Sequence, residues 1–347
     1  MKRAIITGPT GGIGIALINK LIEENVEVIA ICRPGSKRIN NIPSSELVTI
    51  VQLELNELDK MYEVIERKKL KLNATNSPKE AMINADNNIV FYHLGWDGTF
   101  GVDARNNVEG QLKNIQYTIK AVEVAAKIGC NRFVGAGSQA EYGRVEGKLS
   151  AEIPAFPETG YGMAKLSARH LSRLRCSQLG LDHIWTRILS VYGPGDGSKT
   201  MVMSTITKLI NGENVDLTKG EQKWDYLFSK DAAEAMYLLG DKGCHGKVYC
   251  LGGGKALALK DYICKIKETV IKEIQIYNKN ALSKAQKTDV YDITKIKNAK
   301  LNFGAIPYAD KQVMHLVADI SELTKDTGFK VRYSFEDGIK ETIHSLM

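Results

Sequence analysis

Tyr161 and Lys165 stand four residues apart in Tyr161-Gly162-Met163-Ala164-Lys165, at the start of a stretch that reads as a helix. That spacing puts a phenol and an ammonium on one helical face. A lysine beside a tyrosine favours the phenolate. It is expected to draw the phenol below its ordinary value of about 10, making it a proton donor or acceptor usable near neutrality. Alone the pair is a weak signal, because Tyr and Lys at this spacing occur on many solvated helices, so its context decides.

The context begins at the N-terminus. Ala4-Ile5-Ile6-Thr7 reads as a short apolar strand, and Gly8-Pro9-Thr10-Gly11-Gly12-Ile13-Gly14 leads from it into a helical pattern over 15–22. A glycine-rich turn at a strand–helix junction exposes backbone N–H groups at the positive end of the helix, where a pyrophosphate is stabilised. Gly8, Gly11 and Gly14 keep Cβ atoms out of its way, so Gly8, Thr10, Gly11, Gly12, Ile13 and Gly14 are expected to hold a dinucleotide. The second strand, 26–31, ends at Cys32-Arg33-Pro34-Gly35-Ser36-Lys37-Arg38. An acid there would bind the adenosine ribose 2′-OH and indicate NAD, whereas arginine pairs with a 2′-phosphate. Arg33 and Arg38 therefore favour NADP, with NAD possible. Glu54, after a third strand over 47–53, could reach the adenine edge.

A fourth strand, 88–93, runs into Leu94-Gly95-Trp96-Asp97-Gly98, with His93 as a structural strand-end residue. An amphipathic helix follows over 107–128, its apolar positions at Leu112, Ile115, Ile119, Val122 and Ala126. A fifth strand, 132–137, ends at Ser138-Gln139-Ala140-Glu141. Alternating strands and helices predict a doubly wound parallel sheet with ligands at the carboxyl ends of its strands. Ser138 and the Gly8 turn should open on one crevice. Residues 66–88 read as an extended loop or poorly packed helix, and 276–300 as a surface insertion.

With 347 residues, 44% of them hydrophobic, the chain can bury a sizeable core. Met1-Lys2-Arg3 passes straight into Ala4-Ile5-Ile6 without a signal peptide or a span-length apolar run, which predicts a cytoplasmic protein. Six cysteines with no CxxC pair suggest neither zinc nor a disulfide framework. The net charge of +7 is concentrated in two lysine-rich stretches, 67–80 and 265–300, without an aromatic-studded basic face. This argues against nucleic acid as a partner.

Thr7-Gly8-x-x-Gly11-x-x-Gly14, Asn107, Ser138 before Tyr142-Gly143, and Tyr161-x-x-x-Lys165 together resemble the extended short-chain dehydrogenase/reductase (NAD-dependent epimerase/dehydratase) family of nucleotide-sugar enzymes. The resemblance continues through 186–195, 224–231 and 335–339. Residues 193–197 with 303–307 are similar to CDP-abequose synthase-like 4-keto reductases. The resemblance implies an α/β fold: a Rossmann-like doubly wound parallel sheet (1–189 with 225–252) and a smaller C-terminal α/β substrate domain (190–224 with 253–347). It implies Tyr161 as proton donor or acceptor, Lys165 as its tuner and holder of the nicotinamide ribose, and Ser138 as a hydrogen-bond partner of the sugar oxygen. Leu94 is assigned to the cofactor by the same resemblance. Trp96, Gln139, Ser190, Lys223 and Trp224 are assigned to a nucleotide-sugar substrate, and the helices after Asn107 and Tyr161 to a homodimer interface.

Related 4,6-dehydratases carry an Asp-Glu pair directly after the Ser/Thr, and related decarboxylases a glutamate where Ala140 stands; this chain has Gln139-Ala140. Two chemistries remain: ketone reduction, or 4-epimerisation through a transient ketone. A third possibility, a non-catalytic dinucleotide-binding regulator, would give no reason to keep Tyr161 and Lys165. The NADP-type arginines tilt the choice towards reduction of a nucleotide-linked 4-keto sugar. Two departures concern the substrate: the family commonly has arginine where Trp224 stands and asparagine where Ser190 stands. Tryptophan cannot neutralise a phosphate, and Lys223 could supply the charge.

Overall fold

The computed structural model describes residues 1–67, 88–283 and 290–347. Most of the 66–88 segment lies outside them. The central sheet has seven strands: β1 (Arg3–Thr7), β2 (Glu27–Cys32), β3 (Val48–Gln52), β4 (Ile89–His93), β5 (Arg132–Ser138), β6 (Asp182–Ile188) and β7 (Val248–Leu251). All its pairings are parallel, in the order β7-β6-β5-β4-β1-β2-β3. The strand order reverses between β1 and β4, and a ligand crevice forms at such a switch point.

Successive side chains of a strand face opposite sides, so each strand supplies two cores. Ile6, Val90, Val134 and Ile184 pack with α1 (Gly12–Glu23) and with residues 232–239 on one side. Ile5, Phe91 and Phe133 pack on the other with α2 (Val108–Ile128) and α3 (Gly160–Leu179). Both faces are covered, which is why the strands read as continuous apolar runs.

The buried side of α2 differs from the expected apolar series. Leu112 is exposed, while Gln111, Asn114 and Thr118 are buried. They are inside because each bonds the crevice wall: Gln111 accepts from Trp96 Nε1 (3.0 Å), Asn114 accepts from Asp97 N (2.9 Å), and Thr118 meets His93 Nε2 (3.2 Å). His93 also meets the Thr7 hydroxyl at 2.9 Å. It is a buried tie between strand ends, held neutral by burial that pushes its pKa down to about 3.

A further core joins Val202, Ile206 and Leu209 to Ile263, Ile266, Val270, Ile296 and Ile343. Short strands cross between the expected units: Tyr226–Phe228 pairs in parallel with Ser190–Tyr192, and Lys148–Leu149 pairs with His315–Ala318. The surface-insertion reading of 276–300 is corrected on both sides of the undescribed 284–289. Helix α4 (Leu259–Ser283) carries its start, Asn278 brackets both backbone groups of Tyr291, and Ile296 and Ala299 are buried in the core. Asn and Lys content signalled exposure there, but isoleucines at helical spacing decided the packing.

Candidate active site

The glycine-rich turn closes β1 onto α1. Gly8 has φ +72°, and a Cβ there would meet Gly95 N at 2.8 Å, while a Cβ on Gly14 would run into the Gly8 carbonyl. Only glycine allows both approaches. The N-terminus of α1 has no side-chain cap and no acid in its first turn, so its N–H groups and positive dipole end remain available to an anion. A dinucleotide pyrophosphate fits this cradle. Opposite it, the 193–197 loop brings Asp196 N to 3.3 Å from where a Gly12 Cβ would stand.

At the end of β5, Ser138 caps a short 3₁₀ turn: its Oγ accepts from Ala140 N (3.2 Å), and Glu141 returns by accepting from Ser138 N (2.9 Å). Fully buried Glu141 also accepts from Trp185 Nε1 and Arg187 Nε, both at 2.9 Å. The reciprocal cap and this ion pair fix Ser138. Thr159 caps α3, whose first two turns present Tyr161 and Lys165.

Ser138, Tyr161 and Lys165 line one crevice of about 380 Å³ with Gly8, Gly11, Gly12, Ile13 and Gly14. Arg38, Leu94 and Trp96 line it as well. Arg38 donates to Gly195 O at 3.2 Å. The structure does not bring Thr10, Arg33, Glu54, Gln139, Ser190, Lys223 or Trp224 to that lining. Trp224 Nε1 instead donates to Ser190 Oγ (2.7 Å), so these two residues satisfy each other, and Lys223 lies exposed on a short strand. Arg33 and Glu54 are exposed beyond the ends of β2 and β3. Gln139 opens the 3₁₀ turn.

The expected Lys165 effect on Tyr161 is corrected. Lys165 is buried, donates to Ala136 O at 2.6 Å, and sits 3.7 Å over the Trp96 ring. Burial pushes its own pKa down to about 7, partly opposed by Glu141. Burial likewise raises Tyr161, while a hydrogen bond with Ser138 and the charge of Arg105 act downwards and Glu141 upwards. Two neighbours embrace the Tyr161 ring: the Trp96 ring, edge-on at 6.0 Å, and the Arg105 guanidinium at 4.3 Å.

Arg105, Thr99, Phe100 and the 192–197 stretch are lining residues that the sequence reading missed. Glu141 was missed too, although the spacing Ser138-x-x-Glu141 carries a capping-box signal. No group of metal-ligating side chains forms among the described residues.

The family model for the NAD dependent epimerase/dehydratase family matches residues 4–252. Curated relatives include CDP-abequose synthase of Salmonella muenchen, 22% identical over 99% of this chain and 97% of its own. Another is dTDP-4-dehydro-6-deoxyglucose reductase of Escherichia coli, 23% identical over 75% of this chain and 79% of its own. Among solved structures, UDP-glucose 4-epimerase of Thermotoga maritima superposes with a TM-score of 0.75 at 18% identity, covering 99% of this chain and 98% of the other.

Proposed function

The chain belongs to the NAD dependent epimerase/dehydratase family of nucleotide-sugar enzymes, and from that premise we propose that it reduces the 4-keto group of a nucleotide-linked deoxy sugar with NADPH. One observation sets reduction apart from elimination. Among the described residues lining the crevice the only carboxylate is Asp196. It is occupied by Gly197 N (2.7 Å) and the Thr200 hydroxyl (2.9 Å). Eliminating water needs a second acid and base beside Ser138, and Gln139-Ala140 supplies neither. Reduction needs only one proton donor and one oxyanion stabiliser, which Tyr161 and Ser138 provide.

When bound, the reduced nicotinamide supplies a hydride with its electron pair to the carbonyl carbon. Negative charge then develops on the substrate oxygen. Tyr161 transfers its phenolic proton to that oxygen, Ser138 hydrogen-bonds it, and the product is the alcohol. Lys165, on the same helical face, holds the nicotinamide ribose. The turn of Gly8, Gly11, Gly12, Ile13 and Gly14 holds the pyrophosphate.

Arg38 supports NADP over NAD: it is an exposed guanidinium lining the crevice, where it donates to the Gly195 carbonyl, and it is available to a 2′-phosphate. No helix among the described residues is long and apolar enough to cross a membrane. Exposed Val108, Leu112, Met163, Leu171 and Leu174 on α2 and α3 suit the homodimer interface.

Purified enzyme is expected to oxidise NADPH in proportion to a nucleotide-linked 4-keto-6-deoxyhexose. Tyr161→Phe should lose that turnover while still binding the dinucleotide, and unchanged turnover would overturn the assignment. A protein that carries tightly held NAD through purification and interconverts sugar epimers without added reductant would be the 4-epimerase instead.

A further inference from the structure

We propose that the indole face of Trp96 keeps the buried Lys165 side chain in its ammonium form, which makes Trp96 a positioning residue that acts on the reaction through Lys165. The inference deepens the reductase reading and rests on it for the role of Lys165. An ammonium carries a full charge and three donors. It can hold a ribose hydroxyl, and it adds positive charge to the site in which the Tyr161 phenolate forms. A neutral amine has lost that charge and one donor.

Burial works against the charged form. Lys165 is only 3% exposed, and burial draws its pKa down to about 7. Its hydrogen bond goes to a carbonyl, Ala136 O at 2.6 Å, rather than to a carboxylate. The Trp96 ring centre lies 3.7 Å from Nζ. That is well inside the reach of about 6 Å over which a cation is drawn to an aromatic face, and indole is the strongest such face. The same loss of water that penalises the ammonium strengthens this attraction.

The ring is fixed from two helices. Trp96 Nε1 donates to Gln111 Oε1 on α2 (3.0 Å), and Gln111 Nε2 donates to Gly98 O (3.2 Å) and Ala104 O (3.0 Å). With the amide hydrogens committed to two carbonyls, the amide oxygen is left to meet the indole N–H. From α3 the Tyr161 ring packs edge-on against Trp96 at 6.0 Å. The other groups facing Lys165 do less. Glu141 acts upwards on it from the 3₁₀ turn, but shares its charge with Arg187; His93, at the end of β4, is buried and neutral. The Tyr161 ring centre is farther from Nζ, at 5.8 Å, so Trp96 is the nearer π-face.

The test follows the Cε resonance of Lys165 by NMR across pH in the intact protein carrying carbon-13 lysine, without cofactor or substrate. Ordinary lysines stay protonated to about pH 10, so an early-titrating signal that is lost in Lys165→Met belongs to Lys165. In Trp96→Leu its midpoint should fall by about one pH unit. The sign separates this role from packing, because a smaller side chain that merely admitted water would raise the midpoint. Trp96→Phe keeps a face without the N–H and should fall by less than half as much; an equal fall would assign the effect to the lost Gln111 bond and overturn the proposal. If Trp96→Leu does not fold, 5-fluorotryptophan placed at position 96 drains the face of the same ring and should also lower the midpoint.

In steady-state reduction the alkaline limb of kcat/KM for NADPH should move down in pH by the same amount in Trp96→Leu. An unmoved or raised Lys165 midpoint overturns the proposal, even in an enzyme that reduces the keto sugar. A lowered midpoint in a protein that reduces no keto sugar leaves the Trp96 assignment standing and removes the reductase reading instead.

Discussion

Glu141→Gln tests how the crevice is held. Glu141 is fully buried, and its two oxygens accept from Ser138 N, Trp185 Nε1 and Arg187 Nε. Glutamine has the same shape but brings an NH₂ group where the carboxylate only accepted, so one donor must face another donor. Arg187, also buried, then keeps its charge with no counter-ion, and one of its nitrogens already has no partner among the described residues. Breaking a buried pair in this way costs about 3–5 kcal/mol. With a urea m-value of about 3 kcal/mol/M, the unfolding midpoint should fall by about 1–1.7 M. Replacing both partners, Glu141→Met with Arg187→Met, should recover part of the loss, since two apolar side chains leave nothing charged in the core, although Ser138 N and Trp185 Nε1 then lose their acceptor. A Glu141→Gln midpoint within about 0.3 M of the parent would refute the reasoning. So would a double variant that loses the sum of both single effects.

Three other outcomes follow from the same geometry. Lys165 titrates near 7 when folded but near 10.4 when unfolded, so the unfolded chain binds more protons between those values and stability should rise with pH across that window. Lys165→Met should flatten that rise in urea midpoints taken at pH 7 and 9.5 on the dinucleotide-free protein, and an unchanged slope would contradict the buried, deprotonated state. Arg38→Ala should weaken NADPH at least tenfold more than NADH in fluorescence titrations, while Arg33→Ala, exposed and outside the crevice lining, should discriminate far less; equal losses in Arg38→Ala would remove the 2′-phosphate assignment. Leu174→Glu, at an exposed apolar position on α3, should convert a dimer to a monomer in sedimentation velocity, and an unaltered dimer would place the interface elsewhere.

Much of this architecture is legible in the sequence because its signals are local. Apolar runs punctuated by Gly8, Gly129 and Gly180 mark where strands and helices end. The Tyr161 and Lys165 spacing is a property of one helix, and the glycine turn a property of one junction. What stayed hidden depends on two elements meeting. Trp224 reads as a substrate contact until the structure shows Ser190 taking its N–H from a different strand. Arg105 sits in the five-residue helix Val102–Asn106, too short to show a periodicity, and its place over Tyr161 is set by how residues 97–106 fold back onto α2 through Gln111 and Asn114. Those two residues are also why the polar side of α2 faces inward. The Lys165 effect on Tyr161 was inferred from spacing on one helix face, but direction along the side chain, towards Ala136, decides it.

The central claim is hydride delivery from NADPH to C4 of a nucleotide-linked 4-keto sugar with Tyr161 as proton donor. Incubating the enzyme with such a sugar and NADPH deuterated at the transferable position, then reading the product by mass spectrometry and NMR, tests it most directly. The account predicts one deuterium at C4 for each NADPH oxidised, and none with Tyr161→Phe. A product carrying no deuterium, or deuterium transfer undiminished in Tyr161→Phe, would contradict it.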